Sequence, residues 1–311
     1  MRSAKLLLLL VLATAGSSVT HSQECKVTNI ATLDACVDQI STGTVLSMRL
    51  AGSLQCPAGA SRACMDLMAP RSTPLMVTGS AFAAAARLYR SNYSQPLLEV
   101  RGAAVPAAAV TVIRRLTFED AVWPTCSPKR QPPGPSLAMV TVQEAAELLI
   151  ENCTFLHAHK IAVALSGNDR IAFSSNLWLE SQTFGLWTAG DTNNAVHLFG
   201  NSFLRGRNNA IIGVLSGSVL QGNTFIYNHH VACFNQSGGQ MCLNNAQRGP
   251  NRAVMTFAAN RVIDGVITGG EGDGGHNPGP PNGLTTQAFE LNAGVQLRLL
   301  HNDMWNNSGW R

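Results

Sequence analysis

Short segments in which apolar and polar residues alternate recur through the second half of the chain. Because successive side chains of a β-strand point to opposite faces, this period of two predicts short strands with one buried face. The six segments read LLIENCTF (148–155), IAFSSNLWL (171–179), VHLFGNSFL (196–204), VLQGNTFI (219–226), MTFAANRVI (255–263) and LRLLHNDMW (297–305).

The six segments can be aligned at one position, just before the last short strand of each segment. An apolar side chain stands three residues before this position in every segment. In five of them the aligned residue is asparagine, which tolerates the left-handed backbone of a tight corner and whose amide both donates and accepts hydrogen bonds. Stacked repeats would bring equivalent amides within reach of one another, which predicts a ladder. The ladder residues are Asn176, Asn201, Asn223, Asn260 and Asn302, with Cys153 in the first segment.

Consecutive ladder positions are 23, 25 and 22 residues apart where no insertion interrupts them. This length accommodates three short strands and three turns, which make one coil of a right-handed parallel β-helix with coils about 4.8 Å apart. We therefore predict an all-β fold, a right-handed parallel β-helix of about nine coils over residues 44–311. Earlier coils are predicted at 44–50, 74–80, 96–102 and 110–118.

A short capping helix is predicted before the first coil, within residues 23–43. Thr32 is a suitable N-cap residue, and the residues that follow it form one apolar face at helical spacing. A β-helix needs such a cap because its first coil otherwise exposes strand edges and core. The apolar face consists of Leu33, Cys36, Val37 and Ile40.

The first residues have the features of a secretory signal. Arg2 and Lys5 supply positive charge, residues 6–12 are apolar, and residues 13–15 form an A-x-A cleavage site. The apolar run is too short to span a bilayer. We therefore predict a cleaved signal peptide at residues 1–22, no transmembrane segment, and a secreted, periplasmic or cell-surface location.

Composition narrows the class of protein further. Charged residues make up only 13% of the chain, against roughly 25% in typical globular proteins, while 28 glycines and many asparagines supply polar turns. These values argue against a helical bundle with charged outer faces. The formal net charge of +4 falls to about +2 without the predicted signal, which leaves no electrostatic case for nucleic-acid binding.

Eight cysteines in an exported protein favour disulfide bonds, and none forms the C-x-x-C pair of a zinc ribbon or a thioredoxin. The alternative is that some are buried free thiols, foremost Cys153. Short separations favour three local pairs, which are Cys25 with Cys36, Cys56 with Cys64, and Cys233 with Cys242.

The ladder, the aromatic residues after it, and the segments GNSF (200–203) and GNTF (222–225) resemble the β-helix repeats of the pectin-lyase-like superfamily. The resemblance covers residues 110–305. It implies a polysaccharide groove along the sheet made by the first strand of each coil, if the strand before the ladder is counted as the second. Three insertions flank that first strand, near 123–135, 235–251 and 269–283.

Polar side chains recur in the turn that leads into the first strand, where His157 and Glu180 also stand. Adjacent cations there are suited to neutralise a polysaccharide carboxylate, and a lysine, arginine or neutral histidine is suited to remove the neighbouring proton. The resemblance implies β-elimination by this route, and ordinary polarity of solvent-facing turns is the alternative. The predicted catalytic residues are Lys160, Arg207, His230 and His159, and the predicted substrate-binding residues are Arg205, Trp187 and His229.

The outward positions of the first strand are predicted to be mostly apolar, so that either a loop covers them or Trp187 stacks on a sugar ring. The outward residues are predicted to be Ala162, Ala164, Gly185, Trp187, Ile212, Val214, Ala232 and Phe234.

Other chemistry of the superfamily is less well indicated. The sequence lacks an evident acidic calcium cluster of pectate lyases and the full motifs of polygalacturonases and alginate epimerases. Asp169 and Asp191 are the only suitable carboxylate pair after residue 150, and turn chemistry accounts for both. His276, with Glu271 and Asp273, resembles a cation site only loosely, so we expect no metal and no cofactor, with Ca²⁺ as the alternative.

The sequence thus predicts a secreted β-helix protein that binds or processes an extracellular polysaccharide, with β-elimination or epimerisation of a polyuronate as its chemistry. The alternative is a non-catalytic cell-surface or matrix β-helix with a structural or binding role. A glycan is the expected partner, nucleic acid is not, and the oligomeric state is left open.

Overall fold

A computed structural model of the chain is predominantly β, and its strands form three sheets in which every pairing is parallel. From residue 47 onward the chain visits sheets A, B and C in turn, and each strand pairs with the strand of the same sheet one circuit later. This is the architecture of a parallel solenoid. The structure describes residues 24–42, 45–57, 63–68, 74–80, 86–90, 95–102, 110–120, 138–144, 147–159, 161–167, 170–181, 184–188, 195–206, 209–212, 217–226, 230–234, 253–263, 289–291 and 295–305.

The strands are numbered in chain order, and in each sheet the spatial order follows the chain order. Sheet A consists of β1 (Glu24–Val27), β2 (Ser47–Leu50), β5 (Leu75–Gly79), β8 (Thr111–Arg114), β11 (Glu147–Glu151), β14 (Arg170–Ser174), β17 (Ala195–Phe199), β20 (Val219–Gln221), β23 (Ala253–Ala258) and β26 (Val295–Leu300). Sheet B consists of β3 (Leu54–Gln55), β6 (Ala86–Arg90), β9 (Leu116–Asp120), β12 (Thr154–Leu156), β15 (Leu177–Leu179), β18 (Ser202–Leu204), β21 (Thr224–Ile226), β24 (Arg261–Ile263) and β27 (Asp303–Trp305). Sheet C consists of β4 (Met65–Met68), β7 (Leu98–Arg101), β10 (Ala138–Gln143), β13 (Ile161–Ser166), β16 (Phe184–Thr188), β19 (Asn209–Ile212), β22 (His230–Phe234) and β25 (Phe289–Leu291).

The predicted coils of the first half coincide with strands of these sheets. Residues 44–50 contain β2, 74–80 contain β5, 96–102 contain β7, and 110–118 contain β8 and the start of β9. Strands β1, β3, β4 and β6 were not predicted, because this half has no recurrent asparagine to mark its period. The predicted signal peptide and the three predicted insertions lie outside the described residues, except that β22 ends beside the second insertion.

Asparagine amides connect five successive circuits at the corner between sheets A and B. The side-chain Oδ1 of Asn201 accepts from the backbone N–H and from Nδ2 of Asn176, at 2.9 and 3.0 Å. Nδ2 of Asn176 also donates to the carbonyl of Ile150, one circuit earlier. Each amide therefore satisfies buried backbone groups that no strand pairs. The same pattern recurs at Asn201, Asn223, Asn260 and Asn302.

An aromatic stack fills the core beside the ladder. Ring centroids lie 5.5 Å apart for Phe118 and Phe155, 4.8 Å for Phe155 and Trp178, and 4.4 Å for Trp178 and Phe203. Phe225 continues the stack at 5.0 Å. The parallel register places these residues directly above one another, which buries each ring almost completely and fixes the spacing between circuits.

Backbone geometry explains why the corner before the ladder is sharp. The residue that precedes each ladder position has a positive φ, for example 52° at Asn152 and 56° at Ser175. This left-handed conformation turns the chain from sheet A into sheet B within one residue. Glycine adopts it without steric cost, and it occupies this position in two circuits, at Gly200 and Gly222.

Cys153 occupies the ladder position as a buried free thiol, as the alternative reading of the cysteines predicted. Its Sγ lies 3.8 Å from the carbonyl of Ile113, the acceptor that an asparagine Nδ2 would reach, and its backbone N–H donates to Oδ1 of Asn176. Burial raises the pKa of this thiol to about 12. The sulfur thus substitutes for an amide at one end of the ladder.

Cys153 is therefore expected to resist alkylation in the native protein. At pH 8 the reaction should run on the order of 1,000-fold slower than for the same thiol in denaturant, because the thiolate is the reactive form. Peptide mapping after timed labelling measures this rate at Cys153 specifically. Rapid labelling without denaturant would contradict the buried position.

The helix α1 spans Ile30–Ser41 and packs against β1 and β4. Its N-cap is Asn29, not Thr32 as predicted. Oδ1 of Asn29 accepts from the N–H of Thr32 at 2.9 Å, and Oγ1 of Thr32 accepts from the N–H of Asn29 at 3.0 Å. Both residues are good caps, and the reciprocal pair moves the helix start three residues earlier. The predicted apolar face is buried as expected.

Two of the three predicted disulfides are confirmed. Cys25–Cys36 joins β1 to α1, and Cys56–Cys64 closes the loop between β3 and β4, with Cα atoms 5.7 and 5.6 Å apart. The third predicted pair, Cys233 with Cys242, involves positions whose side chains lie outside the described part of the structure.

A buried ion pair links three circuits at the end of sheet B. Arg90 Nε lies 2.6 Å from Asp120 Oδ1, and the side chains are 3% and 0% exposed. The guanidinium also donates to the carbonyls of Gln95 and Ala138, and Asp120 Oδ2 accepts from the N–H of His159 at 2.7 Å. These partners offset the cost of removing both charges from water.

No helix in the described ranges is long and apolar enough to cross a membrane.

Candidate functional site

Sheet C is the sheet predicted to carry the substrate groove, because its strands precede sheet A in each circuit. The strand register aligns one residue per strand in a single row along the outer face. From the N-terminal end, this outer row consists of Asp66, Glu99, Thr141, Ala164 and Trp187. The backbone register continues from Trp187 to Ile212, Cys233 and Glu290.

The backbone register differs from the predicted outward set at one strand. Ile212 and Ala232 were both predicted to face outward, but Ala232 pairs with Ile211 and Ile212 pairs with Cys233. A shift of one residue reverses every side chain of a strand, and the sequence around β22 has no ladder residue from which to count.

The middle of the outer face is closed to solvent. Thr141 is 2% exposed and Ala164 is 1% exposed, although both belong to the outer row. Gly185, which was predicted to face outward, faces the core instead, because a Cβ there would lie 3.2 Å from the ring of Phe203. Among the row residues whose side chains the structure describes, Asp66, Glu99 and Trp187 are partly exposed.

Trp187 is half-buried in β16, where it pairs with Ala164 and Ile212 and packs partly against the core. Its small neighbour Ala164 leaves one side of the ring free of a large cross-strand partner. The turn that holds Arg205 leads into β19, the strand next to β16, so that the ring and the cation occupy adjacent circuits.

Ionisable side chains at the end of sheet B and in the turns toward sheet C form a row, called the charge ladder below. Glu119 Oε1 lies 3.7 Å from His157 Nδ1, His157 Nε2 lies 3.3 Å from Glu180 Oε2, and Glu180 Oε1 lies 3.5 Å from Arg205 Nη1. Arg87 Nε lies 2.6 Å from Glu119 Oε2. Glu180 therefore lies between His157 and Arg205 in this row.

The positive φ of these turn residues explains the regular spacing of the charge ladder. His157, Glu180 and Arg205 have φ values of 56°, 58° and 55°, so equivalent side chains leave the backbone in the same direction in each circuit. The Arg205 side chain is 67% exposed. It retains most of its contact with solvent while it pairs with Glu180, and the strength of such an exposed pair is small.

The predicted catalytic residues are only partly described. His159 is half-buried, and its backbone N–H donates a hydrogen bond to the buried carboxylate of Asp120. His230 begins β22 and pairs with Asn209 of β19. Lys160, Arg207 and His229 lie outside the described residues, as do Asp169, Asp191 and the loop with Glu271, Asp273 and His276.

An acidic cluster at the N-terminal end of sheet C was missed by sequence reasoning. Asp66 and Glu99 are cross-strand neighbours in the outer row, and the Arg101 guanidinium is paired with both, with Nη2 on Asp66 and Nε 3.7 Å from Glu99. Burial raises the pKa of the Glu99 carboxyl, Arg101 opposes this, and Asp66 adds to it. The sequence did carry a signal for this cluster. A single acidic residue interrupts each of two apolar runs, Asp66 in MDLM and Glu99 in LLEV.

Within the described ranges, no three histidine, cysteine, aspartate or glutamate side chains are grouped as metal ligands. Cys153, the free thiol in this part of the chain, is buried in the ladder and takes no part in the outer face.

No family model matches the chain, and no curated protein matches it.

Proposed function

We propose that the protein is a secreted, right-handed parallel β-helix of about nine coils that binds an acidic extracellular polysaccharide at sheet C. The observation that carries this proposal is the placement of a half-buried tryptophan, Trp187, one circuit from the exposed cation of Arg205. An aromatic ring provides a flat apolar surface for a sugar, and a guanidinium binds a carboxylate through paired N–H donors.

Secretion is supported by the signal-like residues 1–22 and by the two disulfides, which persist in oxidising compartments. The resemblance to the pectin-lyase-like superfamily agrees with the three parallel sheets and the asparagine ladder. The inference from this fold to glycan binding is an analogy. The residues on the outer face of sheet C give the inference a physical basis.

The catalytic version of this proposal is β-elimination or epimerisation of a polyuronate. Arg205 and His229 hold the uronate carboxylate, and one of Lys160, Arg207, His159 or His230 removes the proton from the carbon beside it. In elimination the resulting electron pair forms a double bond as the glycosidic C–O bond breaks, and the leaving oxygen takes up a proton. In epimerisation a proton returns from the opposite face.

The second candidate function is non-catalytic glycan binding or a structural role in a matrix. It is favoured by the charge ladder, because Glu180 pairs with Arg205 and reduces the positive potential that would stabilise a carbanion. Incubation with alginate, pectate and glycosaminoglycans discriminates between the two. Rising ultraviolet absorbance from unsaturated uronate supports elimination, and a flat trace with retained binding supports the second candidate.

Replacing Trp187 with alanine is expected to weaken glycan binding about tenfold, since roughly 1.4 kcal/mol of ring contact is lost. Trp187→Phe keeps a ring and should retain most of the affinity. Isothermal titration against alginate and pectate oligosaccharides measures the change. Equal affinity for Trp187→Ala and the wild type would place the glycan elsewhere.

Arg205 has a matched control on another sheet. Arg170 is 65% exposed and paired with Glu147, as Arg205 is 67% exposed and paired with Glu180. Arg205→Ala is therefore expected to weaken binding severalfold and to reduce its dependence on salt, while Arg170→Ala leaves both unchanged. Equal effects of the two substitutions would indicate non-specific attraction and contradict the proposed site.

A further inference from the structure

The sequence Asn152-Cys153-Thr154 is an N-glycosylation sequon at a corner whose geometry the structure describes in full. It lies between β11 and β12, where the chain turns from sheet A into sheet B. Cys153 points into the ladder, so Asn152 and Thr154 flank a buried residue and both face outward.

Asn152 has the exposure that an attached glycan requires. The residue is exposed and takes the left-handed conformation of the corner, with a φ of 52°. Its backbone N–H donates to the carbonyl of Ser174 at 3.0 Å, which holds the corner in place without using the side-chain amide. A glycan on Nδ2 would therefore extend into solvent and disturb no strand pairing.

The circuits after Asn152 leave room for a bulky group at this corner. The residues that occupy the same corner before and after Asn152 are Arg115 and Ser175, and both are exposed. Gly200 and Gly222 follow at the same corner, so that the three circuits after Asn152 place no side chain larger than serine there. The corner between sheets A and B also lies opposite sheet C, away from Trp187 and Arg205.

We propose that Asn152 carries an N-linked oligosaccharide when the chain passes through a eukaryotic secretory pathway. The inference rests on the proposed secretion. Nδ2 of Asn152 forms a bond to the anomeric carbon of a lipid-pyrophosphate-linked oligosaccharide. The bond from that carbon to the pyrophosphate oxygen breaks, the lipid pyrophosphate leaves with the electron pair, and one amide proton passes to a base of the transferase.

The test expresses the full chain in eukaryotic cells and analyses medium and cell fractions separately. Protein from the medium is digested, treated with peptide N-glycosidase and examined by mass spectrometry. The enzyme converts a glycosylated asparagine to aspartate, and we expect this conversion at Asn152. A secreted chain with unmodified Asn152 overturns the inference alone, whereas a chain retained in the cytosol overturns the proposed secretion and the inference with it.

Two substitutions remove the sequon in different ways. Asn152→Gln removes the acceptor, and Thr154→Val removes the hydroxyl while it keeps a branched side chain suited to β12. Both are expected to lose the glycan at this position and to bind polysaccharide like the wild type, because neither lies on sheet C. If the enzyme still converts Asn152 to aspartate in the Thr154→Val variant, the sequon assignment is contradicted.

Discussion

Asp120→Ala is expected to lower the free energy of unfolding by about 3–5 kcal/mol. The substitution leaves the Arg90 guanidinium, which is 3% exposed, without its carboxylate inside the fold. It also leaves the N–H of His159 without its acceptor. A buried charge that loses its partner cannot recover hydration, and this desolvation dominates the loss. Urea unfolding followed by circular dichroism measures the difference.

The control for Asp120 is an exposed ion pair of the same chemistry. Glu24 and Arg49 lie 2.9 Å apart, but their side chains are 41% and 45% exposed. Glu24→Ala is expected to cost less than about 1 kcal/mol, because water replaces the lost partner. The double substitution Arg90→Met, Asp120→Leu should recover much of the stability, since it removes both buried charges. A small effect of Asp120→Ala, similar to that of Glu24→Ala, would contradict the buried pair.

Asn223→Ala is expected to destabilise the fold by about 3–4 kcal/mol, the second large effect. Oδ1 of Asn223 accepts from the backbone N–H of Asn201 at 2.9 Å, and its Nδ2 donates to the carbonyl of Leu198 at 2.9 Å. Alanine leaves this N–H and carbonyl buried without partners in the middle of the ladder. The midpoint of urea unfolding should fall with little change in slope.

Asn302 provides a matched comparison within the same ladder. It makes equivalent bonds to Asn260 and Phe257, but these bonds are only partly buried. Asn302→Ala is therefore expected to cost about 1 kcal/mol, because water reaches the groups that lose their partner. Equal losses at Asn223 and Asn302 would show that burial does not set the strength of the ladder.

The ladder was predictable from sequence because it repeats every 22–25 residues where no insertion interrupts it. Asparagine at five of six aligned positions identifies the corner, and the apolar residues around it identify which face is buried. The two confirmed disulfides were predictable for a related reason, since each closes a short loop of 11 or 8 residues. Local separation limits the geometries that the chain can adopt.

The buried pair of Arg90 and Asp120 was not predictable in the same way. The two residues are 30 positions apart and belong to a region with no repeated marker. Their contact depends on how β6 and β9 align, and a shift of one residue would turn one of the charges to the other face. The acidic cluster of Asp66 and Glu99 escaped notice for the same reason.

The sequence by itself determined the repeat, its corner residues and the low charge that such stacking requires. Equivalent side chains recur about every 4.8 Å along a parallel solenoid, so uncompensated rows of like charge would repel, whereas asparagine, serine and glycine stack without that cost. Tertiary structure alone decided which charges meet. It placed Glu180 between His157 and Arg205, and closed the middle of the outer face of sheet C. Those outcomes depend on the alignment of residues in different circuits, which a periodic pattern along one chain does not specify.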